Sequence, residues 1–135
     1  MVATRFAVAI HILMLLAAEP ARQATSGKLA ESIGTNPVVI RRLAGQLARA
    51  GLIRVRRGPG GAELARPADQ ITLAQVWDAM RRPGQPLLPT HRGAKRNDPT
   101  IPDLLRGVLD EAEGAMHRHL GEVTLGSLAT RVPAA

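Results

Sequence analysis

Cysteine and tyrosine are absent from this chain of 135 residues, and only one phenylalanine and one tryptophan are present. Without thiolates the chain can hold no disulfide, no thiolate zinc site and no cysteine-ligated iron–sulfur cluster. Trp77 is the only aromatic besides Phe6. Its default place is the core, with the wall of a ligand pocket as the alternative. A membrane-length apolar run is also missing. The apolar stretch Phe6 to Ala18 covers 13 residues, contains His11 and has no obvious cleavage site. It is too short to span a bilayer, so it predicts a buried first helix, no membrane partner and a cytoplasmic protein.

Catalytic patterns are missing too. No glycine-rich phosphate loop, nucleophile and base pair, or paired-carboxylate arrangement stands out, and nothing points to an enzyme. His11, in the most apolar helix, is expected as a core residue. His117 and His119 are two apart on a helix, point to different faces and make a poor chelate. His91, Asp98 and Asp103 can meet around one loop, a thin basis for a metal site. No metal or other cofactor is expected.

What is present is positive charge, unevenly spread. The chain carries 18 Lys and Arg against 11 Asp and Glu, a formal charge of +7. From Arg22 to Arg66 nine basic residues face two acidic ones, Glu31 and Glu63, for a net of +7. From Ile101 onward three basic residues face five acidic ones, for a net of −2. A polyanion-binding first half is implied. With 45% hydrophobic residues the chain is long enough for one compact domain and one extra element.

The residue order predicts a mainly α protein with a small β-hairpin. After the first helix, Thr25 and Ser26 are N-cap candidates for a short helix, Gly27 to Ile33, which Gly34 ends. Asn36 can cap the next helix and Pro37 suits its first position. That helix runs to about Ala50, with Gly51 at its left-handed end. Ile40, Leu43, Ala44 and Leu47 recur on its inner side; Arg41, Arg42, Gln46 and Arg49 lie off that stripe. Leu52 to Val55 and Ala62 to Ala65 are strand-like around the turn Arg56-Arg57-Gly58-Pro59-Gly60-Gly61. A helix opened by Ile71-Thr72-Leu73 follows, to about Met80.

Five of the ten prolines fall between Arg81 and Pro102, which predicts a flexible loop over 81–100. Ile101, Leu104, Leu105, Val108, Leu109, Ala112, Ala115, Met116 and Leu120 then recur at three- and four-residue steps, the mark of a long helix with an apolar seam that needs a partner. A short helix from Thr124 follows, and Arg131 to Ala135 is expected as a frayed tail. The implied organisation is a winged helix-turn-helix over 1–80, the loop over 81–100, and a dimerisation helix with a short final helix over 101–135.

A short helix, a small turn, a basic amphipathic helix and a basic hairpin make a DNA-reading head. The second helix fits the major groove, with Asn36, Pro37, Val38 and Val39 in its leading turn and Arg41 and Arg42 reaching guanine edges or phosphate. In the wing, Arg56 and Arg57 stand beside Gly58 and Gly60, where the backbone can approach phosphate or a narrow minor groove. Thr25, Ser26 and Lys28 lie at a helix N-terminus, which favours a phosphate oxygen.

These stretches resemble the Rrf-two (BadM/Rrf-type) winged-helix regulators of bacteria. The resemblance is carried by RFAVAIHILMLLA, KLAESIGTNPVVIRRLAGQLARAGLI and VRRGPGGAELARPADQITLAQVWDAM, and it covers most of the chain. It implies a transcription repressor that binds a palindromic operator in double-stranded DNA as a homodimer. The recognition role passes to Val38, Val39, Arg41 and Arg42, and the minor-groove role to Arg57. Pairing is expected through the long helix, with Leu104, Leu105, Val108, Leu109, Ala112 and Met116 as contacts.

Two departures stand out. The wing reads Gly60-Gly61-Ala62-Glu63 where many relatives read Gly-Gly-Gly-Tyr. Several relatives also hold an iron–sulfur cluster through three cysteines before the long helix, and this chain has none, which places it nearest the cluster-free branch. An unidentified small-molecule effector near Trp77, the proline-rich loop and the long helix is the expected signal. The competing reading is a winged-helix protein-interaction module whose long helix binds a metabolic enzyme or another regulator.

Overall fold

The computed structural model describes residues 2–18, 25–56, 61–81 and 100–132. Its order is α1 (Val2–Ala18), α2 (Ser26–Ile33), α3 (Pro37–Arg49), β1 (Ile53–Val55), β2 (Ala62–Leu64), a 3₁₀ turn (Ala68–Gln70), α4 (Leu73–Met80), α5 (Thr100–Leu120) and α6 (Leu125–Ala129). This is the expected mainly helical fold with one hairpin. The loop expected over 81–100 lies, apart from its two end residues, outside the described residues.

α1 is the strut of the fold, touching α2, α3, β2, α4 and α6. Ala9, Ile12, Leu13 and Leu16, spaced to share one face, form its buried stripe. The helix starts four residues before the apolar run, and Arg5 in this added turn donates from Nη2 to the Met80 carbonyl at 3.3 Å. The expectation for His11 is overturned. It is exposed, because its position falls opposite the buried stripe, together with Ala7 and Ala18. That outer side forms an open apolar groove of about 580 Å³ whose walls include Ile10, Met14, Leu15 and Val132.

The core joins α1 to Ile40, Leu43 and Leu47 of α3, Leu52 and Ile53 after it, and Ile71, Val76 and Met80 around α4. No polar or charged residue is buried among the described residues. Full burial of each large aliphatic side chain contributes about 1.5–3 kcal/mol. Trp77 is 2% exposed and meets the Phe6 ring edge-on, with centroids 5.2 Å apart. The two aromatics therefore pack against each other in the core.

α4 opens with a reciprocal cap. Thr72 Oγ1 accepts from the Gln75 amide at 3.2 Å, and Gln75 Oε1 accepts from the Thr72 amide at 3.0 Å. The same segment ties down the end of the chain. The Leu73 amide donates to the Val123 carbonyl and the Leu125 amide to the Ile71 carbonyl, both at 2.9 Å. Leu125 is fully buried, and α6 returns to α1 and the 3₁₀ turn. The last helix thereby closes the core of the winged helix-turn-helix.

α5 sits differently, since none of its residues is fully buried. It leans on α4, where Arg81 Nη1 meets Glu113 Oε1 and Asp78 Oδ1 meets His117 Nε2, both at 2.9 Å. The sequence seam divides here between two faces. Leu109, Met116 and Leu120 are half-buried, in line with Glu113 and His117, while Ile101, Leu104, Val108, Ala112 and Ala115 stay exposed about a quarter-turn or more away and Leu105, nearer that line, is exposed at its edge. No described helix is long and apolar enough to cross a membrane.

Candidate nucleic-acid interface

The reading head is built from three chain breaks. Thr25 Oγ1 accepts from the Lys28 amide at 3.3 Å and starts α2. Gly34 ends it at φ +83°, a left-handed conformation that a side chain rarely adopts. The Gly34 and Thr35 amides both donate to the Ala30 carbonyl, at 2.9 and 3.0 Å. Asn36 Oδ1 then accepts from the Val39 amide at 3.1 Å, and Pro37 occupies the first turn of α3. The turn is thus fixed by the chain's own hydrogen bonds before any ligand arrives.

α3 divides as its pattern predicts. Ile40, Leu43 and Leu47 are buried, while Asn36, Pro37, Val38, Arg41, Arg42 and Arg49 are exposed and Val39 is half-buried. Gln46 is the exception on the outer side, half-buried with an enclosed Oε1 that has no hydrogen-bond partner. Gly51, at φ +77°, turns the chain into the hairpin.

The hairpin pairs Ile53 with Leu64, Arg54 with Glu63 and Val55 with Ala62. Directly paired residues share a face and faces alternate. One side therefore carries Ile53, Val55, Ala62 and Leu64, of which Ile53 and Ala62 are buried. Arg54, Arg56 and Glu63 occupy the other. The Arg56 amide donates to the Gly61 carbonyl at 2.8 Å, extending the ladder toward the turn. Arg57, Gly58 and Gly60 fall outside the described residues.

α2, α3 and the wing meet around a cavity of about 230 Å³ whose walls include Thr25, Ser26, Arg41, Arg56 and Gly61. Leu29, Ile40, Ala44, Val55 and Ala62 make much of its wall apolar, while Arg41, Arg56 and the first turn of α2 contribute the polar part, where an anionic oxygen can approach. Lys28 is exposed on the same short helix, and Arg42 is exposed on α3. The described members of the expected DNA-binding set are thus on α2, on the outer side of α3 and at the wing base. Glu63 was not among them. It accepts from Arg56 Nη2 at 3.2 Å, a pairing that the hairpin register reveals and spacing along the chain does not.

A family model described as "Iron-dependent Transcriptional regulator", Rrf2, matches residues 2–131. The chain belongs to the Rrf2 family. YwnA of Bacillus subtilis (strain 168), which carries a provisional designation as an HTH-type transcriptional regulator, is 31% identical over 128 residues, covering 93% of this chain and 94% of YwnA. A crystal structure provisionally described as that of a DNA-binding protein is 29% identical with a TM-score of 0.75, over 92% of this chain and 97% of that one. Staphylococcus aureus CymR has the same fold, at 24% identity and a TM-score of 0.70 over 97% of this chain and 99% of its own. Rrf2 proteins are regulators of transcription, not enzymes, and this member is a DNA-binding one. The residues present do not fit the cysteine-held cluster of some Rrf2 proteins, because the chain supplies no thiolate. Among the described residues, no group of three or more His, Asp or Glu is placed to hold a metal ion.

Proposed function

We propose that this chain is a cytoplasmic homodimeric repressor that binds a palindromic operator, placing α3 of each copy in the major groove and the wing along the adjacent backbone. The observation that carries this reading is the convergence of Thr25, Ser26, Arg41 and Arg56 on one cavity beside the exposed first turn of α3. In it, Val38 and Val39 meet base edges, Arg41 and Arg42 reach guanine edges or phosphate, and Arg57 takes the minor groove, while Thr25, Ser26, Lys28, Asn36, Pro37, Arg56, Gly58 and Gly60 position the backbone. The open stripe of α5 is covered by a second copy, and the apolar groove on α1 adds to the surface available for burial.

The signal is received without a cysteine-held cluster. The effector site in this reading is the polar cleft of about 470 Å³ between α4 and α5, bordered by Trp77, Asp78, Arg81, Glu113, His117 and Arg118. Trp77 Nε1 is buried without a hydrogen-bond partner. α4 also touches α3, so a ligand that shifts α4 against α5 can change the spacing of the two recognition helices. A metabolite that releases DNA should then change Trp77 fluorescence, and a flat signal from such a metabolite would count against this cleft.

A salt titration of DNA binding tests the main reading. Counterion release lowers log Kobs with log[salt] by about 0.9 for each phosphate neutralised. Two to five cations per protomer give a slope between roughly −4 and −9. A monomer without salt-sensitive retention on DNA would instead favour a protein-interaction module.

A further inference from the structure

We infer that Glu63 sets the DNA affinity of the wing, an internal anion that competes with phosphate for Arg56 and must release it when a duplex is seated. The inference rests on the DNA-binding reading above and adds to it a brake on binding. Arg54, Arg56 and Glu63 share one side of the hairpin. Arg54 stands directly across from Glu63, yet its Nη2 donates to the Ala65 carbonyl at 3.3 Å. Glu63 is instead paired with Arg56 on the diagonal, at 3.2 Å.

Exposure decides what this pair can do. The Arg56 side chain is 59% exposed and that of Glu63 is 29%, so the cation is reachable from solvent while its partner is partly shielded. Arg56 also borders the cavity shared with Arg41 and the first turn of α2. Its guanidinium has two alternative anionic partners: a carboxylate on its own hairpin and a phosphate oxygen entering the cavity. A guanidinium can hold phosphate, like carboxylate, through two parallel bonds, whereas a single Nη2–Oε1 contact joins Arg56 to Glu63. That exchange must break the pair with Glu63 and bring a phosphate near a carboxylate.

A duplex that leaves Arg56 with Glu63 avoids that cost and forgoes the phosphate contact. A duplex seated with α3 in register takes Arg56 fully and meets the whole cost. Glu63 therefore lowers operator affinity at least as much as affinity for arbitrary DNA. An exposed ion pair of this kind is worth a factor of about 1.5 to 5 in an equilibrium constant.

The test uses the full chain and three variants, Glu63→Gln, Arg56→Gln and the double variant. Binding is measured by anisotropy on a random-sequence duplex and on a duplex enriched from random DNA, across a salt series, with thermal unfolding checking that the hairpin persists. Glu63→Gln is expected to tighten binding to the enriched duplex about two- to fivefold and to steepen its salt slope by up to about one unit per wing. The random duplex should gain no more than that. In the Arg56→Gln background the same change should have little effect.

Unchanged or weaker binding of Glu63→Gln to the enriched duplex would overturn the inference. So would an equal gain in the Arg56→Gln background, since Glu63 would then act through overall charge alone. Wild-type protein without salt-dependent DNA binding would overturn the DNA-binding reading itself. That failure is distinct from wild-type protein that binds DNA but is indifferent to Glu63.

Discussion

Replacing Leu104 with glutamate puts a charge on a surface that the protomer leaves open. Ile101, Leu104, Leu105 and Val108 are 66, 67, 39 and 61% exposed, respectively. Covering what they expose contributes roughly 4–7 kcal/mol per protomer, and about twice that for a two-fold interface. Association costs about 4–15 kcal/mol in lost translational and rotational freedom. The stripe is therefore of the size a dimer needs, with a narrow margin. Leu104→Glu forfeits about 1–2 kcal/mol of burial in each copy, which raises the dimer Kd by roughly 30- to 1000-fold before the cost of burying the new carboxylate. The protomer's own packing depends little on Leu104, so helicity should persist. Sedimentation velocity over a wide concentration range reads the Kd, and circular dichroism reads the helix. A Leu104→Glu protein that dimerises as tightly as wild type, or a wild-type chain monomeric throughout the range, would refute the assignment of this stripe.

Three further perturbations test other parts of the account. Leu47→Ala empties a fully buried position of α3 and should destabilise the chain by about 2–5 kcal/mol in urea unfolding; a much smaller loss would mean that the α3 core contact is misplaced. Asn36→Ala removes the cap on the Val39 amide and should cost about 1 kcal/mol of stability, measured by thermal unfolding. Arg41→Ala and Arg42→Ala separate positioning from reading. Loss of a phosphate contact flattens the salt slope by about one unit per protomer and weakens all sequences alike. Loss of a base contact removes about 1–3 kcal/mol of discrimination at one position of the site.

The helix ends were legible because capping is local chemistry. Thr25, Asn36, Thr72 and Thr124 all cap through their own side chains, and each could be named from the residue type before an apolar run. Gly34 and Gly51 marked the left-handed ends for the same reason. Periodicity was a poorer guide to burial. It identified the α5 seam but not its division, since whether Leu109 or Val108 turns to α4 depends on how the helix leans. It put His11 inside because its neighbours are apolar, although the side opposite Ala9, Ile12 and Leu13 is left uncovered. The return of α6 to the core depends on backbone pairing between residues 71–73 and 123–125, which leaves no residue-type signature. In the interface, the outer side of α3 was readable from its stripe, whereas the Arg56–Glu63 pair required the hairpin register.

In the proposed assembly two copies of one reading head grip DNA together. Selecting bound sequences from random duplex DNA with the full-length chain tests it most directly. An enriched, inverted-repeat site with half-sites about one helical turn apart, near 34 Å, is expected, with loss of enrichment in Arg41→Ala. Recovery of no sequence, or of a single unrepeated half-site that survives Arg41→Ala, would contradict it.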